Sequence, residues 1–186
     1  WQYIKGLLPK IGGVVLSDYG CGTITEKIKT KLLDYCQKKG IPTIVDSRYD
    51  IGRFVGVDYV KQNDAELAAA VGRSLPDEDA LYDAAQELLQ RLEAQGVLIT
   101  RGEKGMVLFE KNGAIHNIPV SDRSEVYDVS GAGDTCVAVV ILALAAGVEP
   151  VRAAELSNIA AGIAVRKLGT ATVSARELRD ALGQHA

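Results

Sequence analysis

Short apolar runs that end on a polar residue alternate along this chain with longer stretches of helical spacing, and that alternation admits few folds. The first run, GVVLSD (Gly13–Asp18), is continuously apolar until its acid, as suits a strand buried on both faces. In the following TITEKIKTKLLDYCQKKG, Ile24, Ile28, Leu32, Leu33 and Cys36 recur at helical spacing, and Gly40 supplies the stop. PTIVDS (Pro42–Ser47) and VDYVKQ (Val57–Gln62) predict two more strands. NDAELAAAVG and DEDALYDAAQELLQRLEAQG predict helices, the second with Asp77 as its N-cap. VLITRG predicts another strand, and GMVLFEKNGAIHNI a hairpin turning at Asn112-Gly113. From Gly131 onward the spacing is helical: Gly131–Ala146, Pro150–Leu168, and Ala175–Leu182 capped by Ser174. Strands separated by helices imply a mainly parallel α/β sheet covered on both faces, without internal repeat or linker.

Composition narrows the function. With 186 residues, 47% of them hydrophobic, the chain can bury a sizeable core as one domain. A net charge of −3 offers no general attraction to nucleic acid or to an anionic membrane. Cys21, Cys36 and Cys136 are far apart and odd in number, so they read as free thiols rather than a disulfide framework or zinc site. His116 and His185 are too few for a metal cluster. No secretory signal opens the sequence. The longest apolar run, Cys136 to Val148, is too short to span a bilayer. These features imply a soluble, cytoplasmic protein.

In parallel α/β sheets ligands gather at the carboxyl ends of the strands. The polar residues expected there are Asp18, Asp46, Asn63, Thr100-Arg101-Gly102 and Asp128. Any one of them alone is an ordinary cap or turn residue. Their convergence with a glycine-rich helix start is more informative. In YDVSGAGDTCVAVVILALAAG (Tyr127–Gly147) a helix opens on Gly131-Ala132-Gly133 and Asp134, although glycine is a poor helix former. Either this is a turn from strand to buried helix, or the helix amides gather around an anion with a working acid beside them. No G-x-x-x-x-G-K-[ST] is present, which excludes a P-loop, and Gly20-Cys21-Gly22 lacks the third glycine of a dinucleotide fingerprint.

DVSGAGD (Asp128–Asp134) resembles the C-terminal signature of the ribokinase-like (PfkB) carbohydrate kinases. QNDAE (Gln62–Glu66) is similar to that family's N-x-x-E motif, and TRGEKG (Thr100–Gly105) to its T-x-G-x-x-G strand end. SNIAAGIAV (Ser157–Val165) resembles the helix whose asparagine lies near the adenine. Within the family, VVLSDYGCG, EVYDVSGAGDT and RKLGTATVS look most like the kinases that phosphorylate D-glycero-β-D-manno-heptose 7-phosphate at O1 for ADP-heptose synthesis. The resemblance runs from about Gly13 to Leu182. It implies a ribokinase-like three-layer α/β sandwich with a mainly parallel sheet. It also implies that residues 1–186 are the C-terminal, nucleotide-binding part of a sugar-kinase domain, without its N-terminal part and lid.

The resemblance further implies roles. Asp134 is the general base, and Gly131, Ala132 and Gly133 form the anion hole. Asn63, Thr100, Arg101, Gly102, Gly105 and Asn158 bind nucleotide. Glu66 holds Mg²⁺ through water, and Asp128 and Ser130, with the Gly169–Ser174 loop, form a site for a monovalent cation such as K⁺. The residues alone leave open that Glu66 is an exposed first-turn glutamate, that Asn158 bridges backbone groups, and that Asp128 caps the next turn. Two departures bear on the acceptor: Cys21 stands in DYGCG where those heptose-phosphate kinases have lysine, and DSRYDIGRF replaces DPKG, with Arg48 or Arg53 to supply charge. The expected partners are ATP, a sugar phosphate and a second copy of the chain, with neither nucleic acid nor membrane. The alternatives are another PfkB-family kinase, or a nucleotide-binding fragment inactive by itself.

Overall fold

A computed structural model describes residues 1–121 and 126–184. Glu125, in the EVYDVSGAGDT stretch, and His185 lie outside the described residues. One six-stranded sheet carries the strands in chain order: β1 (Val14–Asp18), β2 (Thr43–Ser47), β3 (Tyr59–Asn63), β4 (Gly96–Thr100), β5 (Met106–Glu110) and β6 (Ile115–Ile118). β1 to β4 are parallel, whereas β5 and β6 are antiparallel to their neighbours. Connection length decides this. A parallel neighbour needs a crossover, which α2 (Glu26–Lys39) supplies between β1 and β2, and α3 (Asp64–Val71) with α4 (Glu78–Arg91) between β3 and β4. Only the short 3₁₀ turn Gly102–Lys104 separates β4 from β5, so the chain must reverse. The expected turn at Asn112-Gly113 reverses it again, with the Gly113 N–H on the Glu110 carbonyl at 2.9 Å.

The sheet is apolar on both faces, as its continuous runs require. On one side Leu16, Val45, Val60, Val97 and Phe109 pack with Leu32 and Cys36 of α2, Leu67 of α3 and Leu88 of α4. On the other, Ile44, Leu98, Met106 and Leu108 pack with Val137, Val140 and Ile141 of α5 (Ala132–Ala145) and Ala154 of α6 (Pro150–Ala164). Each fully buried leucine or valine contributes roughly 1.5–3 kcal/mol. Helices therefore cover both faces, giving three layers. α1 (Gln2–Leu7), which no sequence pattern announced, precedes β1, and α7 (Ala175–Gln184) follows α6. Among the described residues no helix is long and apolar enough to cross a membrane. The three cysteines are free, Cys21 exposed and Cys36 and Cys136 buried.

The caps are those expected: Asp77 accepts from the Ala80 N–H at 2.9 Å, and the Ser174 hydroxyl from the Glu177 N–H at 3.2 Å. Several boundaries differ, two of them for causes visible in the backbone hydrogen bonds. β3 begins at Tyr59 because Val57 is drawn into a turn, its N–H on the Phe54 carbonyl at 3.3 Å. α6 ends at Ala164, not at Leu168. The Val165 carbonyl instead accepts the N–H groups of Tyr127 (2.9 Å) and Asp128 (3.1 Å), and Leu168 is left 84% exposed.

At the end of the sheet away from the glycine-rich turn, Thr43 and Asp58 clasp β2 to the entry of β3. The Asp58 carboxylate accepts from the Thr43 N–H (2.9 Å) and hydroxyl (2.7 Å), and that hydroxyl accepts the Asp58 N–H (2.9 Å). Thr43→Val removes two of these bonds at a fully buried position, so thermal unfolding should show a loss of about 1–3 kcal/mol. Ligand affinity at the opposite end of the sheet should not change.

Candidate active site

At the carboxyl ends of β3 and β4, beside the start of α5, a cavity of about 850 Å³ opens. Of the residues proposed from sequence, Asn63, Thr100, Gly102, Gly105, Ala132, Gly133 and Asn158 line it. The topology explains the gathering. Asn63 and Thr100 are register partners at the ends of β3 and β4, and α5 crosses the same face of the sheet above them.

Gly131 is the N-cap of α5 with φ 80°, a conformation that L side chains rarely adopt. The Ala132 N–H already donates to the Val129 carbonyl at 3.2 Å. Gly133 and Asp134 occupy the first turn, where N–H groups have no acceptor within their own helix. Gly133 lines the cavity, so the positive end of the helix dipole meets it there. The Asp134 side chain is exposed beside them.

Facing this helix start is a residue that sequence reasoning passed over. Lys61 of β3 is only 5% exposed, and a Cβ added at Gly133 would lie 3.0 Å from its Nζ. The glycine thus lets the ammonium and the helix start approach. Lys61 Nζ donates to Asp46 Oδ2 at 2.9 Å and lies 3.7 Å from Glu66 Oε2. Burial alone would weaken the ammonium, but Asp46 and Glu66 outweigh it and hold Lys61 above the usual lysine range. Burial pushes the Asp46 carboxyl up against the pull of Lys61, and Glu66 and Asp134 add to the push. One ammonium thus stands between two carboxyl groups, Asp46 and Glu66. A lysine inside a strand buried on both faces was the available signal, because such a cation needs a partner.

Glu66 and Asn63 form a capping box at the start of α3: the Asn63 side chain accepts the Glu66 N–H at 2.9 Å, and Glu66 Oε2 accepts the Asn63 N–H at 2.8 Å. The motif spacing N-x-x-E is therefore also the spacing of a cap. Among the described residues no group of three or more His, Cys, Asp and Glu side chains is placed to hold a bare metal ion. The surplus of carboxylates around Lys61 nevertheless suits a hydrated divalent cation carried in with phosphates.

The loop from Thr100 to Gly105 places Thr100, Gly102 and Gly105 on the cavity, but not Arg101. The Arg101 guanidinium, 7% exposed, turns instead to Glu78 (2.9 Å) and Asp64 (3.5 Å). Gly105 has φ 81°, and any Cβ there would overlap the Ile118 carbonyl. Asn158 is in the cavity wall, but its amide donates to the Pro119 carbonyl at 2.7 Å, tying α6 to the segment after β6. Asp128 accepts the N–H groups of Ser130 (2.8 Å) and Gly169 (3.1 Å), joining the two loops expected to hold a monovalent cation. The Ser130 bonds, and then that of Gly169, hold its carboxyl below the usual range. Cys136, buried in the cavity wall against Ser157, has its thiol pushed up to about 11 by burial. It stays a neutral packing group.

Residues 6–177 match the family described as pfkB family carbohydrate kinase. The bifunctional protein HldE of Syntrophotalea carbinolica is 37% identical over 186 residues, which are 100% of this chain and 38% of that protein. The chain therefore spans well under half the length of this curated relative. Ribokinase from Arabidopsis thaliana, solved with ribose and ATP, superimposes with a TM-score of 0.85 at 21% identity, covering 98% of this chain and 59% of that one. Phosphofructokinase-2 from Escherichia coli, solved with potassium, gives 0.82 at 24% identity, covering 98% and 61%. The fold is accordingly the ribokinase-like three-layer α/β sandwich with a mainly parallel sheet. One expectation is corrected: within the bifunctional protein, the kinase domain to which this chain is homologous is the N-terminal, not the C-terminal, part. With the family match covering nearly its whole length and its motifs gathered on one cavity, the chain belongs to the pfkB family of carbohydrate kinases, the phosphotransferases of sugar hydroxyls.

Proposed function

We propose that the protein transfers the γ-phosphoryl group of ATP to a sugar-phosphate hydroxyl, with D-glycero-β-D-manno-heptose 7-phosphate accepting at O1. The observation that carries this reading is the meeting of the α5 amides and Lys61 at one cavity, with Asp134 beside them. The nucleotide lies along Asn63, Thr100, Gly102 and Gly105, with Asn158 toward the base. The acceptor oxygen attacks the γ-phosphorus and gives its proton to Asp134. The bond to the bridging oxygen breaks, and ADP leaves. Charge on the transferring group is met by the Gly133 and Asp134 amides and by the Lys61 ammonium. Glu66 and Asp46 would hold hydrated Mg²⁺, which would supply neutralising charge for the phosphates. K⁺ would sit by Asp128 and Ser130, steadying the anion turn. The reaction belongs to the cytoplasm, its reactants are soluble small molecules, and the enzyme works as a homo-oligomer.

Calorimetry with ATP across a magnesium series tests the nucleotide half. Wild-type protein should bind Mg·ATP, and Glu66→Gln should weaken the magnesium dependence more than Asn158→Ala does. A folded sample with no nucleotide binding would refute the proposal. ADP release with heptose 7-phosphate, against other sugars and sugar phosphates, tests the acceptor. A different sugar or sugar phosphate is the second reading. It is favoured by the exposed Cys21, whose thiol lies 3.6 Å from the Tyr19 carbonyl and brings no cation to that turn. Faster turnover with such an acceptor would establish it in place of the heptose.

A further inference from the structure

Arg101 reaches no ligand space, yet it is among the best-buried cations of the described residues, its side chain 7% exposed. It joins the first residue of α4's N-terminal turn, Glu78, to the first residue of α3, Asp64. Both neighbours of Arg101 in the chain, Thr100 and Gly102, line the cavity, and so does Asn63, the residue before Asp64. The guanidinium therefore sits behind the cavity wall and fastens together its two phosphate-side segments. The loop itself is closed by backbone bonds, Arg101 N–H to the Gly105 carbonyl at 2.8 Å and Lys104 N–H to the Arg101 carbonyl at 3.1 Å. It can thus shift only as a unit with the arginine. Arg101 Nε and Asp64 Oδ1 face each other at 3.5 Å, both out of solvent and neither hydrogen-bonded. Two buried polar atoms in that state are costly, and a shift of a few tenths of an ångström would satisfy both.

We propose that Arg101 is a positioning residue that sets the Thr100–Gly105 loop against the Asn63–Glu66 turn, and that its contact with Asp64 closes when nucleotide phosphates seat between them. This rests on the reading of the cavity as a nucleotide site. The phosphates, not the base, report the geometry, so the probes are Mg·ATP and adenosine, titrated by calorimetry into the whole chain. Arg101→Ala should weaken Mg·ATP binding about tenfold while leaving adenosine binding unchanged, as expected for coupling of roughly 1.4 kcal/mol. Arg101→Lys, which keeps a cation near Asp64 and guards against a variant that fails to fold, should lose less. The double variant Arg101→Ala/Asp64→Ala should bind Mg·ATP no more weakly than Arg101→Ala, because the two residues act through one contact.

Equal losses for ATP and adenosine would mean a general structural role and overturn the inference. So would additive losses in the double variant, or unchanged ATP binding in both Arg101 variants. Failure of the wild-type chain to bind Mg·ATP would instead strike the nucleotide reading itself.

Discussion

Asp134→Asn should lower turnover by about 10²- to 10⁴-fold, the range for a positioned general base, while the dissociation constant for Mg·ATP stays within about twofold. The asymmetry follows from geometry. Asp134 is exposed in the first turn of α5, and neither its side chain nor its carboxylate lines the cavity. The amide of asparagine keeps its size and leaves the backbone N–H groups of Gly133 and Asn in place. Only the proton acceptor is gone. Steady-state rates with saturating acceptor, beside calorimetric ATP binding, separate the two effects. Equal loss of binding and turnover would assign Asp134 a structural part, and wild-type turnover would end its assignment as base.

Lys61→Met should be the most destabilising single change at the site. The ammonium is the partner of Asp46 and the near neighbour of Glu66, both with side chains only 17% exposed. Breaking a buried pair from one side leaves a carboxylate without its counter-charge, at a cost of about 3–5 kcal/mol. For a chain of this size that is a melting temperature lower by roughly 10 °C. The pH dependence has a definite sign. The Asp46 carboxyl is already held above the ordinary carboxylate range by burial, and without Lys61 it rises further. A raised acid binds its proton more tightly in the folded state, so its stability contribution is present at acid pH and lost as pH rises through the folded value. The deficit of the variant should therefore be full near neutral pH and shrink in acid, where Asp46 is protonated and needs no partner. Asp46→Asn in the same chain should recover part of the loss. A deficit independent of pH would mean that lost packing, not charge, is responsible.

Much of the fold was legible because each layer leaves its own pattern. Continuous apolar runs such as GVVLSD and PTIVDS mark strands covered on both sides, and Asp77, Ser174 and the Asn112-Gly113 turn are local chemistry that needs no distant partner. What was not legible depends on residues far apart in the chain. Lys61 faces Asp46 only because β3 lies beside β2 in a register that pairs them. The resemblance assigns Arg101 to the nucleotide, but two helix starts, at Asp64 and Glu78, turn its side chain away from the cavity. Glu66 showed the reverse problem. One spacing serves both a capping box and a metal motif, so the pattern by itself could not choose between them. The end of α6 was misread because apolar spacing continues to Leu168, whereas the competing hydrogen bonds come from Tyr127 and Asp128.

That last competition constrains how the protein can change. The Val165 carbonyl is shared between two possible roles: acceptor for a longer α6, or anchor for the amides that lead into Gly131. It cannot fill both. Substitutions at positions 167 and 168 that favour helix would therefore gain local order at the far end of α6 and withdraw the anchor from the turn that opens α5. The irregular end of α6 is then a reservoir of tuning. Drift at an exposed position such as Leu168, which lies outside the cavity, can loosen or tighten the turn that opens α5 without altering any residue that lines the cavity.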